Sequence, residues 1–221
     1  SRWLYILLAA LLVLVPLYFL RGLYTDYLWF SSLGFSDVFI TVILNKIILF
    51  SVGALFFAFL CSISFYFARK FSWGPVEILM PESTFNFLKK AIILGMALFV
   101  SVASCIFGII LAQSWQTVLK FLNSSEFGIS DPVLKKDVAF YIFNLPFYEL
   151  IQNWILSAIL VIFVGSIIVY FVNYTFRGMA FKFNSGLKIH SSILLSLLMI
   201  TVSFSHFIQR WKIIHGSGDI V

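Results

Sequence analysis

Five stretches of this chain, residues 3–20, 47–68, 91–119, 150–176 and 189–209, run 18 to 29 residues without a charged side chain. Each is near or beyond the ~20 apolar residues that cross the ~30 Å hydrocarbon core of a bilayer. In lipid the backbone N–H and C=O groups must be paired within the segment or within a closed barrel. Leu, Ile, Phe and Ala fill these runs without the period-two alternation of barrel strands, so helices are expected. The expected fold is therefore all-α: a polytopic helical transmembrane domain of about five spans, 3–20, 47–68, 91–112, 153–175 and 189–209. Two outer interfacial segments, 21–46 and 113–152, are expected between them. Only 11% of residues are charged and 62% are hydrophobic, against the roughly 25% charged of soluble domains, which excludes an ordinary soluble core.

Lys and Arg near a span resist translocation, so their placement sets orientation. With a cytoplasmic N-terminus, one side holds eight basic residues, Arg2, Arg69, Lys70, Lys89, Lys90, Arg177, Lys182 and Lys188, against Glu77 and Glu82. The other side holds seven of each sign, so the whole net charge of +6 falls on the cytoplasmic face. Five crossings then leave Val221 extracytoplasmic. The basic residues are divided among short loops, which argues against a nucleic-acid surface. The first run exceeds the usual apolar core of a signal peptide, and Pro16-Leu17-Tyr18 offers no small-x-small cleavage site, so an uncleaved anchor is expected. Cys61 and Cys105 differ in expected depth by roughly 10 Å, too far for a disulfide, and read as small apolar fillers.

Along the chain, Ser36-Asp37 reads as the cap of a helix from Val38 to Ala68. Trp73-Gly74-Pro75 and Met80-Pro81 break the path to the third span. Trp115, Val118, Leu119 and Leu122 repeat at helical spacing, and Asn123-Ser124-Ser125 ends that piece. Asp131-Pro132 reads as a cap followed by the first residue of a short helix. The aromatic run Phe140-Tyr141-Ile142-Phe143, closed by Leu145-Pro146, is too short to span and is expected to lie in or dip into the interface.

An ordered series of residues carries a family resemblance. Tyr24-Thr25-Asp26-Tyr27-Leu28-Trp29-Phe30, Leu33-Gly34-Phe35, Val38-Phe39, Phe127-Gly128, Asp131-Pro132, Asp137, Phe140-Tyr141, Phe143 and Leu145-Pro146 resemble the uncharacterised protein family (UPF) 0182, and the likeness extends through Arg210-Trp211. Val133-Leu134-Lys135-Lys136 departs from the family pattern, which has Gly or Phe in that interval. The resemblance implies a bacterial multi-pass plasma-membrane protein whose chain continues past residue 221 into further spans and a large extracytoplasmic domain. It implies no activity and no catalytic residues.

Two constellations stand out. Ala97, Ser101, Ser104, Gly108 and Ala112 fall within about 80° on one face of the third span, a small-residue seam of the kind that lets helices approach closely in lipid. Ser51, Ala54, Ala58 and Cys61 make a shorter version on the second. On the fifth span, Ser192, Ser196, Ser203, His206 and Arg210 share a polar face with Met199. The plainer reading has the hydroxyls bonded to their own i−4 carbonyls, with His206 and Arg210 at the head groups. The functional alternative is a lining for an ion, a proton or a lipid head group. His190 and His206 lie ~24 Å apart on one helix and cannot share a haem iron.

No nucleophile elbow, P-loop, His-Glu-x-x-His or Cys-x-x-Cys is present in the sequence, so no catalytic, cofactor-binding or metal-binding residue is expected, and no cofactor. Asp131, Asp137 and Glu149 are accounted for by capping and by pairing with Lys135 and Lys136. The functional expectation is a non-enzymatic membrane domain that anchors and orients an extracytoplasmic region. The alternative is a transporter or channel subunit for an ion, lipid or envelope precursor that uses the fifth-span polar face. The expected partners are the lipid bilayer and either a second copy or envelope proteins, with no nucleic acid.

Overall fold

A computed structural model describes residues 2–72, 82–175 and 184–213, with the backbone alone at several positions in 2–19 and 82–85 and at 213. The expected breakers at 73–81, the basic residues Arg177 and Lys182, and His215 lie outside the described residues. Six α-helices are described: α1 (Arg2–Ser32), α2 (Ser36–Ser72), α3 (Glu82–Gln113), α4 (Trp115–Leu122), α5 (Leu145–Thr175) and α6 (Ser185–Ile213), with a π turn (Phe140–Asn144) leading into α5. Among the described residues four stretches are long and apolar enough to cross a membrane: Ser36–Ser72, Asn86–Gln113, Phe140–Thr175 and Ser185–Lys212. The other expected span, 3–20, falls within α1, where most side chains lie outside the description.

The chain divides into two compact units, Ser1–Ile47 and Ile48–Val221. In the first, α1 continues unbroken through residues 21–32, part of the expected interfacial segment. It ends in a Schellman motif: Phe35 N–H donates to Phe30 O at 2.9 Å and Gly34 N–H to Ser31 O at 3.1 Å. This closure requires a left-handed residue, which Gly34 supplies at φ +78° without a Cβ penalty. Phe39, one turn into α2, then packs on Phe30 and Tyr27 with ring centroids 5.7 and 5.8 Å apart.

The second unit is built on one stripe of α2 and the facing side of α5. Phe57, Cys61, Phe65 and Ala68 recur at helical spacing and are buried, as are Trp154, Ala158, Ile162 and Val169. Phe57 stacks on Phe107 of α3 at 4.2 Å, and Trp154 meets Phe107 edge-on while its Nε1–H donates to Phe107 O at 3.1 Å. Cys61 is a fully buried filler, whereas Cys105 is exposed, against expectation for that thiol.

Between α4 and α5 the structure departs from the sequence reading in one place. Pro132 opens a turn and not a helix: Asp131 Oδ1 accepts the Val133 N–H at 2.9 Å, an Asx turn that uses the carboxylate locally. The aromatic run 140–143, too short to span by itself, is continuous with α5 and forms its first turn. Pro146 has no N–H to donate one turn back, and Leu145 N–H reaches Phe140 O in the wider π pattern at that point.

Candidate functional site

A chain of polar side chains is buried where α2, α5 and α6 meet. Ser64 of α2, Ser166 and Tyr170 of α5, and His190 of α6 are each less than a tenth exposed. Ser64 lies eight residues before the end of α2, Tyr170 five before the end of α5 and His190 five after the start of α6. At ~1.5 Å per residue the cluster is therefore roughly 8–12 Å inside one end of the bundle. Ser166 donates to Ile162 O at 2.8 Å, Ser64 and Ser166 share a bond of 2.8 Å, Ser64 Oγ is 3.2 Å from His190 Nε2, and Tyr170 OH is 3.0 Å from His190 Nδ1.

Each hydroxyl has one proton, and this fixes the direction of the chain. Ser166 uses its proton on Ile162 O, so Ser64 must donate to Ser166. The Ser64 oxygen is then the acceptor for His190 Nε2–H, and Nδ1 carries the lone pair that accepts the Tyr170 O–H. All four groups are satisfied with a neutral imidazole in the Nε2–H tautomer. The arrangement places a Ser beside a His that is oriented by a third group, as a nucleophile–base pair would be. The proton runs the wrong way for that chemistry, because the imidazole donates to Ser64 and offers it no lone pair.

The fifth-span polar face is elsewhere. Ser192, Ser196, Ser203, His206 and Arg210 are exposed, and α6 packs through Leu187, His190, Leu194 and Ile208. His190 and His206 are sixteen residues apart, about 160° around the helix. His206 Nδ1 is 3.2 Å from Gln209 Oε1, and Arg210 lies over the rings of Phe207 at 3.8 Å and Trp211 at 4.5 Å. Ser191 and Thr201, beside that face, bond to Leu187 O and Leu198 O. In the third-span seam, Ser104 and Gly108 are buried, Ala112 is half-buried, and Ala97 and Ser101 are exposed. Ser64, Ser166, Tyr170 and His190 were not singled out by sequence reasoning as a group; the available signal was the spacing of His190 between Leu187 and Leu194.

The residues between α4 and α5 that carry the family resemblance form a clasp. Asp137 accepts the N–H groups of Phe127 at 3.1 Å, Gly128 at 2.8 Å and Ala139 at 2.7 Å, while Asp131 accepts the Tyr141 hydroxyl at 2.8 Å. The Ala139 N–H foremost, joined by the amides of Phe127, Gly128 and Ile129, holds the Asp137 carboxyl below its ordinary value against an opposing push from desolvation. A depressed folded-state pKa stabilises above the unfolded value, near 3.8, and that contribution disappears as pH falls through the lower folded value. Asp137→Asn is accordingly expected to speed amide hydrogen exchange at residues 127–139 at neutral pH. The wild-type segment should open only below about pH 4. Unchanged exchange in the variant would show that the clasp does not hold the loop.

Among the described residues no group of three or more His, Cys, Asp or Glu side chains could hold a metal ion. The sequence profile of the uncharacterised protein family UPF0182 matches residues 3–221. The chain is 28% identical over 218 residues to a UPF0182 protein of Rhodococcus erythropolis and 29% over 226 residues to one of Nocardia farcinica, covering 96% of this chain and 22% of each relative. A UPF0182 protein of Methanospirillum hungatei is 35% identical over 164 residues, covering 73% of this chain and 16% of the relative. The chain thus spans about a fifth of the length of these curated relatives, and no solved structure matches it.

Proposed function

Because this chain belongs to the uncharacterised protein family UPF0182, for which no activity is known, we propose that it is the membrane domain of an integral plasma-membrane protein, without a reaction of its own, that anchors and orients an extracytoplasmic region. It crosses the bilayer five times, with residues 3–20 as the first span, the N-terminus cytoplasmic and residue 221 outside. One observation carries the reading: the polar side chains buried among the apolar helices are used to join or brace them. Gln152 Nε2 donates to Thr201 O across α5 and α6, Trp154 bonds α5 to α3, and the His190 cluster ties α2, α5 and α6. Ser104 and Asn173 bond back to their own helices. The direction of the Ser64–His190 bond supports the absence of a catalytic role.

A transporter or channel subunit for an ion, lipid or envelope precursor is the second reading. The outward-facing Ser192, Ser196 and Ser203 favour it, because hydroxyls on an apolar helix face are more at ease against water, a second copy or an envelope protein than against lipid. Cysteine labelling separates the two. On a background lacking Cys61 and Cys105, cysteines at Ser83 and Ser185 are expected to resist membrane-impermeant thiol reagents added to intact cells, and a cysteine at Ser124 to react. The reverse pattern would invert the orientation. Cysteines at Ser196 and Ser203 are expected to stay inert to small water-soluble thiol reagents, since a thiol must ionise to react. Reaction at Ser196 would replace the anchor reading with a hydrated path.

A further inference from the structure

Beside the His190 cluster a cleft of about 510 Å³ opens between α5 and α6, lined by Phe163, Ile167, Phe171, Leu187, Ser191 and Leu194, with Ser166, Tyr170 and His190 also in its wall. Its α5 wall runs from Phe163 to Phe171 and its α6 wall from Leu187 to Leu194, roughly 10–12 Å of helix rise, which fits within one leaflet of a ~30 Å core. The polar groups in the wall are committed elsewhere: Ser166 to Ile162 O, Ser191 to Leu187 O, Tyr170 to His190 and His190 to Ser64. The surface offered to an occupant is therefore hydrocarbon, and it borders the lipid-facing side of α5, where Ile167 and Phe171 are exposed.

Lys188 supplies the second half of a lipid site. It is exposed, lies three residues before Ser191 on α6, and makes no ion pair with a carboxylate among the described residues. Three residues place Lys188 about 60° around α6 from the wall residue Ser191 and nearer the helix start, and because helical side chains tilt toward the N-terminus its stem is directed toward the end of the bundle, where an ammonium snorkels to the head groups. We propose that this cleft is a binding site for an anionic phospholipid, with one acyl chain along the α5–α6 groove and its phosphate on Lys188. The proposal rests on the membrane reading above and adds the ligand.

The test uses the whole chain in bilayers containing phosphatidylglycerol with a photoactivatable group in its acyl chain, followed by mapping of the cross-linked peptides. Labelling is expected to concentrate on the segments 163–171 and 187–194. Ser191→Phe, whose hydroxyl bonds only its own helix, should fill the groove and abolish that concentration; Ile167→Trp fills it from the other wall if Ser191→Phe does not fold. Lys188→Gln, or the matching phosphatidylcholine probe, should weaken labelling about fivefold, the effect of one ammonium at an anionic surface. Label spread evenly over every lipid-facing helix, unmoved by the groove variants, would overturn the site while leaving the membrane reading intact. Equal labelling by the two lipids would overturn the phosphate contact, and no labelling of any helix would overturn the membrane reading with it.

Discussion

Gly108→Leu is expected to lower the thermal stability of the purified protein in detergent far more than Ala91→Leu. A Cβ at position 108 would stand 2.8 Å from Phe50 O and 3.0 Å from the Ala54 Cβ, and the backbone carbonyl cannot rotate away as a side chain would. A leucine adds three more carbons in that direction, so α2 and α3 must separate. The Phe57–Phe107 stack and the Trp154–Phe107 bond both involve the residue next to Gly108 and would open with them. In lipid no hydrophobic drive compensates, because acyl chains are as apolar as the side chains they replace, and close packing supplies much of the association. Overpacking costs typically about 1–3 kcal/mol and occasionally more, and the backbone contact places Gly108→Leu at or above the upper end of that range, about 2–4 kcal/mol. Ala91 is exposed on the same helix, and its replacement should stay within about 0.5 kcal/mol. Equal melting midpoints for the two variants would remove the claim that Gly108 sets the α2–α3 distance.

At Gly108 the sequence carries a signal that does not depend on knowing the neighbour, because small residues at helical spacing mark close packing, although Ala97 and Ser101 of the same seam are exposed. The same holds for the apolar stretches, for the helix start at Ser36-Asp37 and for the end of α4 near Asn123, where local chemistry dictates the outcome. What the sequence could not disclose was which side of α6 packs. In water the apolar face of a helix turns inward, but a lipid-facing surface is also apolar, so hydropathy does not separate the two. Ser192, Ser196, Ser203, His206 and Arg210 stand out in the sequence because they are the more polar face of α6; the packed face instead carries one imidazole among leucines. Ser64 and Ser166 were hidden for a related reason, since a serine in an apolar helix usually bonds its own i−4 carbonyl and only a partner on another helix makes it part of a network. The turn at Pro132 was misread because Asp-Pro serves equally as a helix start and as a turn, and the tie from Asp131 to Tyr141, ten residues on, is invisible to local pattern.

His190→Leu is expected to destabilise the bundle by about 2–4 kcal/mol, with most of the loss coming from the groups left behind. Leucine is close to histidine in size and fills the space, but Tyr170 loses its acceptor and Ser64 its donor, both buried. Interhelical hydrogen bonds in membranes are worth about 0.6 kcal/mol on average, so two broken bonds alone would give a smaller effect. The excess expected here is the unsatisfied polar remainder. Ser64→Ala should cost about 1–2 kcal/mol, and adding it to His190→Leu should cost less than the sum, because the second change removes one of the groups the first had orphaned. Simple additivity would mean that Ser64 and His190 do not act as one chain. The proton direction has its own readout: nitrogen-15 spectra of the imidazole should show His190 neutral and protonated on Nε2, and Ser166→Ala, by taking away the acceptor for Ser64, should leave the Ser64 proton free to turn toward His190. A ring protonated on Nδ1 in the wild type would reverse the chain, place a lone pair against Ser64, and restore the nucleophile–base arrangement that the present direction argues against.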